Sequence, residues 1–282
     1  MRWGDGRRSD NVEDRRGMSG PGRLVGGGLG TILLVIVALY FGVDPSILLN
    51  QGGMPVPGTS SAPYRSSAEE QRLADFVSVV LADTEDTWHA IFRSMGKEYA
   101  EPKLVLFSGS VPSACGTASA AIGPFYCPAD RKVYIDLGFY DELRNTFGAP
   151  GDFAQAYVIA HEVGHHVQNL VGIADKVQSL RARADRVEAN KISVKMELQA
   201  DCLAGVWAHH ADRARHILEQ GDVEEALNAA ASIGDDRLQR RAGGAVAPDS
   251  FTHGTSAQRV HWFRRGLESG ELGRCNTFAT RN

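Results

Sequence analysis

The sequence predicts an α+β fold, mostly helical with a small β-sheet, preceded by one N-terminal transmembrane helix. Three observations point there. Leu24–Val43 carries no charge and contains the apolar run Ile32–Phe41, long enough to cross a bilayer core of about 30 Å. Several long stretches further on repeat their apolar residues at helical spacing. Only two stretches, Leu104–Phe107 and Lys132–Leu137, read as strands, rich in β-branched and aromatic residues.

Taken in order, residues 1–23 are polar, Gly-rich and charged. They read as a disordered tail. The uncharged stretch 24–43 shows no polar face and no small-residue cleavage site after it, so it reads as an uncleaved anchor rather than a signal peptide. Arginines cluster before the span and are sparse just after it, which places the N-terminus in the cytoplasm and the rest outside, in a periplasm or on a cell surface. Gly26 and Gly30 form a small-residue pair that could support a homodimer through the anchor. Residues 44–67 are a Gly/Pro/Ser linker, and 68–282 form the folded domain.

Within that domain, Ala68 to about Met95 shows one apolar face through Leu73, Phe76, Val77, Val80 and Leu81. Asp152 with Gln155 three residues on reads as a capping box, and Gly172 as the stop, of a helix whose core face is Ala160, Val163, Val167 and Leu170. Val177 to about Ala211 reads as one or two long helices, and Ser256 to about Glu268 as a last one. The basic run between Lys176 and Lys195 reads as a solvated helix face.

With 282 residues, 43% hydrophobic and 23% charged, the chain can bury one substantial core. A net charge of −4 argues against a nucleic-acid partner. The four cysteines, Cys115, Cys127, Cys202 and Cys275, include no Cys-x-x-Cys pair, so a cysteine metal site is not indicated. In an exported chain they suggest two disulfides, with Cys115–Cys127 and Cys202–Cys275 favoured among three connectivities.

The chemistry concentrates in His161-Glu162-Val163-Gly164-His165. On a helix His161 and His165 are one turn apart and can grip one metal ion, with Glu162 beside them to polarise a water. A catalytic zinc takes three protein ligands. Glu197 can supply the third, and Asp201, one turn later, can accept a ring N–H of a ligand histidine. Both acids sit in the nearly apolar segment Met196–Trp207, where a buried carboxylate needs a partner. Gln168 and Val171 stand where the longer metzincin signature needs Gly and His, which removes that reading.

These blocks, with Gly123–Pro128 and Phe251–Val260, resemble the neutral zinc metallopeptidase family of YpfJ-like proteins over roughly residues 66–278. The resemblance implies a zincin-like domain and a single-zinc peptidase of the glutamate-ligand type, acting on protein or peptide substrates. Zinc held by His161, His165 and Glu197 would then activate a water, with Glu162 as general base. His253, ahead of Gly254 and a helix start, is similar to a histidine that follows the ligands in related membrane zinc peptidases; it is a candidate for oxyanion stabilisation, with a structural hydrogen bond as its other reading. His166, His209 and His210 read as structural. Two other functions stay open: a zinc-binding domain with a structural or chaperone-like role, and a non-peptide zinc hydrolase of the cell envelope.

Overall fold

The computed structural model describes residues 1–18, 64, 66–243 and 245–279. Residues 1–16 and those from 66 onward form one compact unit. Its elements run β1 (Val12–Asp14), α1 (Ala68–Ser94), β2 (Lys103–Phe107), β3 (Ser110–Ser113), β4 (Gly116–Ser119), β5 (Phe125–Cys127), β6 (Lys132–Asp136), α2 (Gly138–Asn145), α3 (Asp152–Leu170), α4 (Ile173–Arg181), α5 (Arg186–Arg215), α6 (Asp222–Ser232), α7 (Asp235–Arg241) and α8 (Ser256–Ser269).

The main sheet has the order β1-β2-β6-β5, with β1, β2 and β6 parallel and β5 antiparallel at one edge. Parallel strands covered on both faces read as continuous apolar runs, and β2 and β6 do so. Leu104, Leu106, Val133 and Ile135 enter the main core with the helices. Val105, Phe107 and Tyr134 face a second cluster with Val111 and Ala118 of the β3–β4 hairpin. The Cys115–Cys127 disulfide ties that hairpin to β5, and Cys202–Cys275 ties α5 to the C-terminal segment, so both favoured pairings hold.

The expected fold class needs correction at the N-terminus. Residues 1–16 belong to the domain rather than to a tail ahead of it: β1 pairs with β2 in the register Val12↔Leu104. Ser9 and Asn11 hydrogen-bond the buried carboxylate of Glu85 on α1. No helix among the described residues is long and apolar enough to cross a membrane; the expected span 24–43, with Gly26 and Gly30, lies outside the described residues. The fold is therefore a mostly helical α+β unit with small sheets.

Helix α3 is buried almost all round, from Phe153 to Gly164, as a central helix must be. It starts one residue earlier than the capping-box reading required. Gly151, at φ 122°, holds the cap position. The Phe153 N–H donates to Glu225 of α6 instead, and Asp152 pairs with the Met1 amine.

Candidate metal centre

Three helices build the site. Helix α3 presents Tyr157, His161 and His165 at four-residue intervals, hence on one face. It crosses α5 where Gly164 has no side chain: a Cβ there would meet the Ala200 carbonyl oxygen at 3.0 Å. That close approach puts Glu197 and Asp201, on α5, opposite the two histidines. Helix α8 meets α5 more tightly still. A Cβ on Gly266 would lie 1.9 Å from the Cys202 carbonyl oxygen, and one on Gly205 2.1 Å from that of Phe263. This contact delivers Arg259 to Asp201.

The Glu197 carboxylate faces both imidazoles, with Oε2 3.2 Å from His161 Nε2 and Oε1 3.4 Å from His165 Nε2. One donor atom from each of the three residues lies within 4.8 Å of the others. Two donors about 2.1 Å from a tetrahedral ion lie roughly 3.4 Å apart, so the set fits zinc with one position left over. Burial disfavours charge on His161, yet Asp201 and Glu197 outweigh it and push its pKa up to about 10. Glu197 is held well below the usual carboxylate range, burial being overcome by the two histidines. Protons and a cation therefore compete for the same nitrogens.

Asp201 is fully buried and accepts four hydrogen bonds. They come from His161 Nδ1 at 2.8 Å, the Tyr157 hydroxyl, Arg259 Nε at 2.9 Å and Arg259 Nη2 at 2.8 Å. Burial raises its pKa, but Arg259 and His161 prevail and hold it down at about 2. An acceptor-only carboxylate requires the proton on His161 Nδ1, which frees Nε2 to bind a metal. Arg259 and Tyr157 were given no role on sequence alone. The available signal was a charged residue on the buried stripe Arg259, Trp262, Phe263 and Gly266.

The Glu162 side chain lines the same cleft as His161, His165 and Glu197 and has no hydrogen-bond partner among the described residues. His253 lines it too. Its Nδ1 lies 3.2 Å from Asp235 Oδ1, and the backbone N–H groups of Thr252, His253 and Gly254 all donate to Asp235 Oδ2. The bond to Asp235 raises the His253 pKa. Asp235, at the start of α7, was not singled out in the sequence. The three histidines read as structural meet backbone carbonyls: His166 that of Ala100, His209 that of Leu267 and His210 that of Gly270.

The cleft holds about 400 Å³. Phe139, Phe147, Ile233 and Leu238 form an apolar wall, and β5 with the preceding Gly123–Pro124 forms the rim. A larger cavity, about 790 Å³, lies between residues 1–7, the middle of α1 and the end of α5, but its Asp83 and Asp86 are already paired with Arg215 and Arg7. A second trio of acids, Asp152, Asp222 and Glu225, is likewise engaged, by the Met1 amine and the Phe153 N–H.

Known proteins are similar to this chain over most of its length. The family described as "Putative neutral zinc metallopeptidase" matches residues 1–278. The YpfJ protein of Escherichia coli is 55% identical over 99% of each chain. Rv2575 of Mycobacterium tuberculosis is 38% identical over 86% of this chain and 85% of its own. No solved structure matches it significantly. The chain belongs to the neutral zinc metallopeptidase family.

Proposed function

We propose that the protein hydrolyses peptide bonds, with zinc held by His161, His165 and Glu197. The observation that carries this reading is the placement of β5. Among the described residues it is an edge strand of the sheet, and it borders the same cleft as His161, His165, Glu197 and Glu162. A free strand edge can take an extended peptide by main-chain hydrogen bonds. A strand laid there has its backbone carbonyls beside the centre. His165 and Glu197 keep 15% and 19% of their side chains exposed, so the centre is reachable.

Zinc bound in this set supplies a Lewis acid that polarises a carbonyl and makes water acidic near neutral pH. The chain's own residues do the rest. Asp201, anchored by Arg259 and Tyr157, keeps His161 in the tautomer that leaves Nε2 free. Glu162, not committed to another group, takes a proton from the attacking water and returns it to the leaving amine. His253, its Nδ1 tied to Asp235, has Nε2 left to donate to the oxyanion.

The test uses the full chain, wild type beside Glu162→Gln, with zinc content and casein hydrolysis measured together. The expected result is one zinc in both proteins and cleavage by the wild type alone. Cleavage retained by the variant in a clean preparation, or no zinc in the wild type, would sink the proposal.

A further inference from the structure

His161 takes its orientation from Asp201. His165 has no such carboxylate. Its Nδ1 lies 2.9 Å from Oε1 of Gln168, one turn along α3. A glutamine amide could offer either its oxygen or its nitrogen to that ring, and only the oxygen fixes the proton on Nδ1. What decides is the far side of the amide.

Gln168 is fully buried. Its Nε2 donates to the Met196 carbonyl at 2.8 Å and to Gln199 Oε1 at 3.0 Å. Gln199, also buried, donates from Nε2 to the Cys275 carbonyl at 2.9 Å. A carbonyl can only accept. The Cys275 carbonyl therefore forces the nitrogen of Gln199 toward itself, which turns the Gln199 oxygen toward Gln168. Together with the Met196 carbonyl, that forces the Gln168 nitrogen away from the ring and its oxygen onto His165 Nδ1. The ring must then carry its proton on Nδ1 and present Nε2 to Glu197. Each link has one possible polarity because the chain ends on an atom without a proton.

Cys275 is held by its disulfide to Cys202, the residue after Asp201. The same crosslink thus fixes the terminus of this chain of amides and the neighbour of the residue that orients His161.

We infer that Gln168 and Gln199 are positioning residues for the metal centre, a directional hydrogen-bond relay that sets the tautomer of His165 from the Cys275 carbonyl. The inference rests on the reading of His165 as a zinc ligand. Removing the partner of a ligand histidine typically weakens metal binding by about 10–100-fold. The relay also makes a claim that simple packing does not: Gln199 acts only through Gln168. Its effect must vanish when residue 168 no longer needs orienting.

The experiment measures zinc dissociation constants by competition with a chromophoric chelator, and visible spectra of the cobalt-substituted protein, in the full chain. Gln168→Met should weaken zinc binding by about 10–100-fold and perturb the cobalt spectrum. Gln199→Met should weaken it by several-fold. Adding Gln199→Met to Gln168→Met should change zinc affinity no further, because no amide at residue 168 is left to orient. Zinc affinity within about twofold of wild type in a folded Gln168→Met protein would overturn the relay. So would Gln199→Met having the same effect in the Gln168→Met background as in the wild type, since independent contributions add. Failure of the wild type itself to bind zinc would refute the peptidase reading and take the relay with it. Zinc binding and cleavage by the wild type with both glutamines silent would refute the relay alone.

Discussion

Arg259→Met tests how the buried charges hold the site together. The Arg259 side chain is 2% exposed and that of Asp201 0%, and the pair makes two direct hydrogen bonds. Methionine roughly keeps the volume but leaves Asp201 with His161 as its only charged partner. Deleting one member of a buried pair costs about 3–5 kcal/mol, because the other stays behind desolvated and unpaired. For a domain of this size that is a fall in Tm of about 2–4 °C per kcal/mol. The pair also contributes to acid resistance. Asp201, held at about 2, adds stability that is present above its unfolded pKa and lost as pH falls through the folded value. Urea unfolding followed by the fluorescence of the buried Trp88 and Trp207 should show the variant's deficit at pH 7 and its narrowing toward pH 2. Asp201→Asn removes the charge that the arginine serves, so the double variant should lose clearly less than the two single losses summed. A loss below about 1 kcal/mol for Arg259→Met, or strict additivity, would refute the assignment of Arg259 as the structural counter-charge.

Gly266→Ala should be among the most damaging single changes in the protein. Its methyl group would need the Cys202 carbonyl to move from 1.9 Å, and backbone cannot yield as a side chain does; a thermal melt should show a loss at or beyond the upper end of about 1–3 kcal/mol. Removing the Cys202–Cys275 disulfide, which closes 73 residues, should cost about 4 kcal/mol by chain entropy, and removing Cys115–Cys127, which closes 12, about 3. Equal losses from the two in chemical denaturation would count against that entropic account. Asp235→Asn should return the His253 ring toward its ordinary pKa near 6.5 in an NMR titration, since the bond to Asp235 is what raises it. Burial works against the charge on Asp235, but the bonds from His253 and the loop N–H groups lower its pKa. Its contribution is present above its unfolded pKa and lost as pH falls, and that of His253 is present below its unfolded pKa and lost as pH rises. The stability gap between wild type and variant should therefore be widest between those limits and shrink on either side.

The residues brought together at the centre were legible because their chemistry demands a spacing. Two histidines four apart, and two acids four apart inside an apolar helix, state their need for partners in the sequence itself. Their supports were less visible. Gln168 and Gln199 look like ordinary polar residues until α3 and α5 are packed, because the carbonyls that polarise them come from Met196 and Cys275. The three-residue strands β1 and β5 are too short for periodicity to register. They exist because β2 and β6 offer backbone partners. The composition of residues 1–16 suggests disorder, yet several of its charges are spent on α1, where Arg8 meets Asp75 and Arg7 meets Asp86. Asp152 was misread as a cap because the cap's work is done from α6, by a residue 72 positions away from the N–H it serves.

The contact of α5 with α8 also has a meaning for sequence length. Gly205 is where the two backbones touch, and Glu197 and Asp201 lie on the same helix two turns and one turn before it. Each residue of an α-helix advances the face by about 100°. One residue inserted or deleted between Asp201 and Gly205 would leave the crossing in place and swing both acids away from His161 and His165, and one between Glu197 and Asp201 would swing Glu197 alone. Relatives that share this centre should therefore differ freely in the lengths of their loops while keeping this nine-residue interval without a gap.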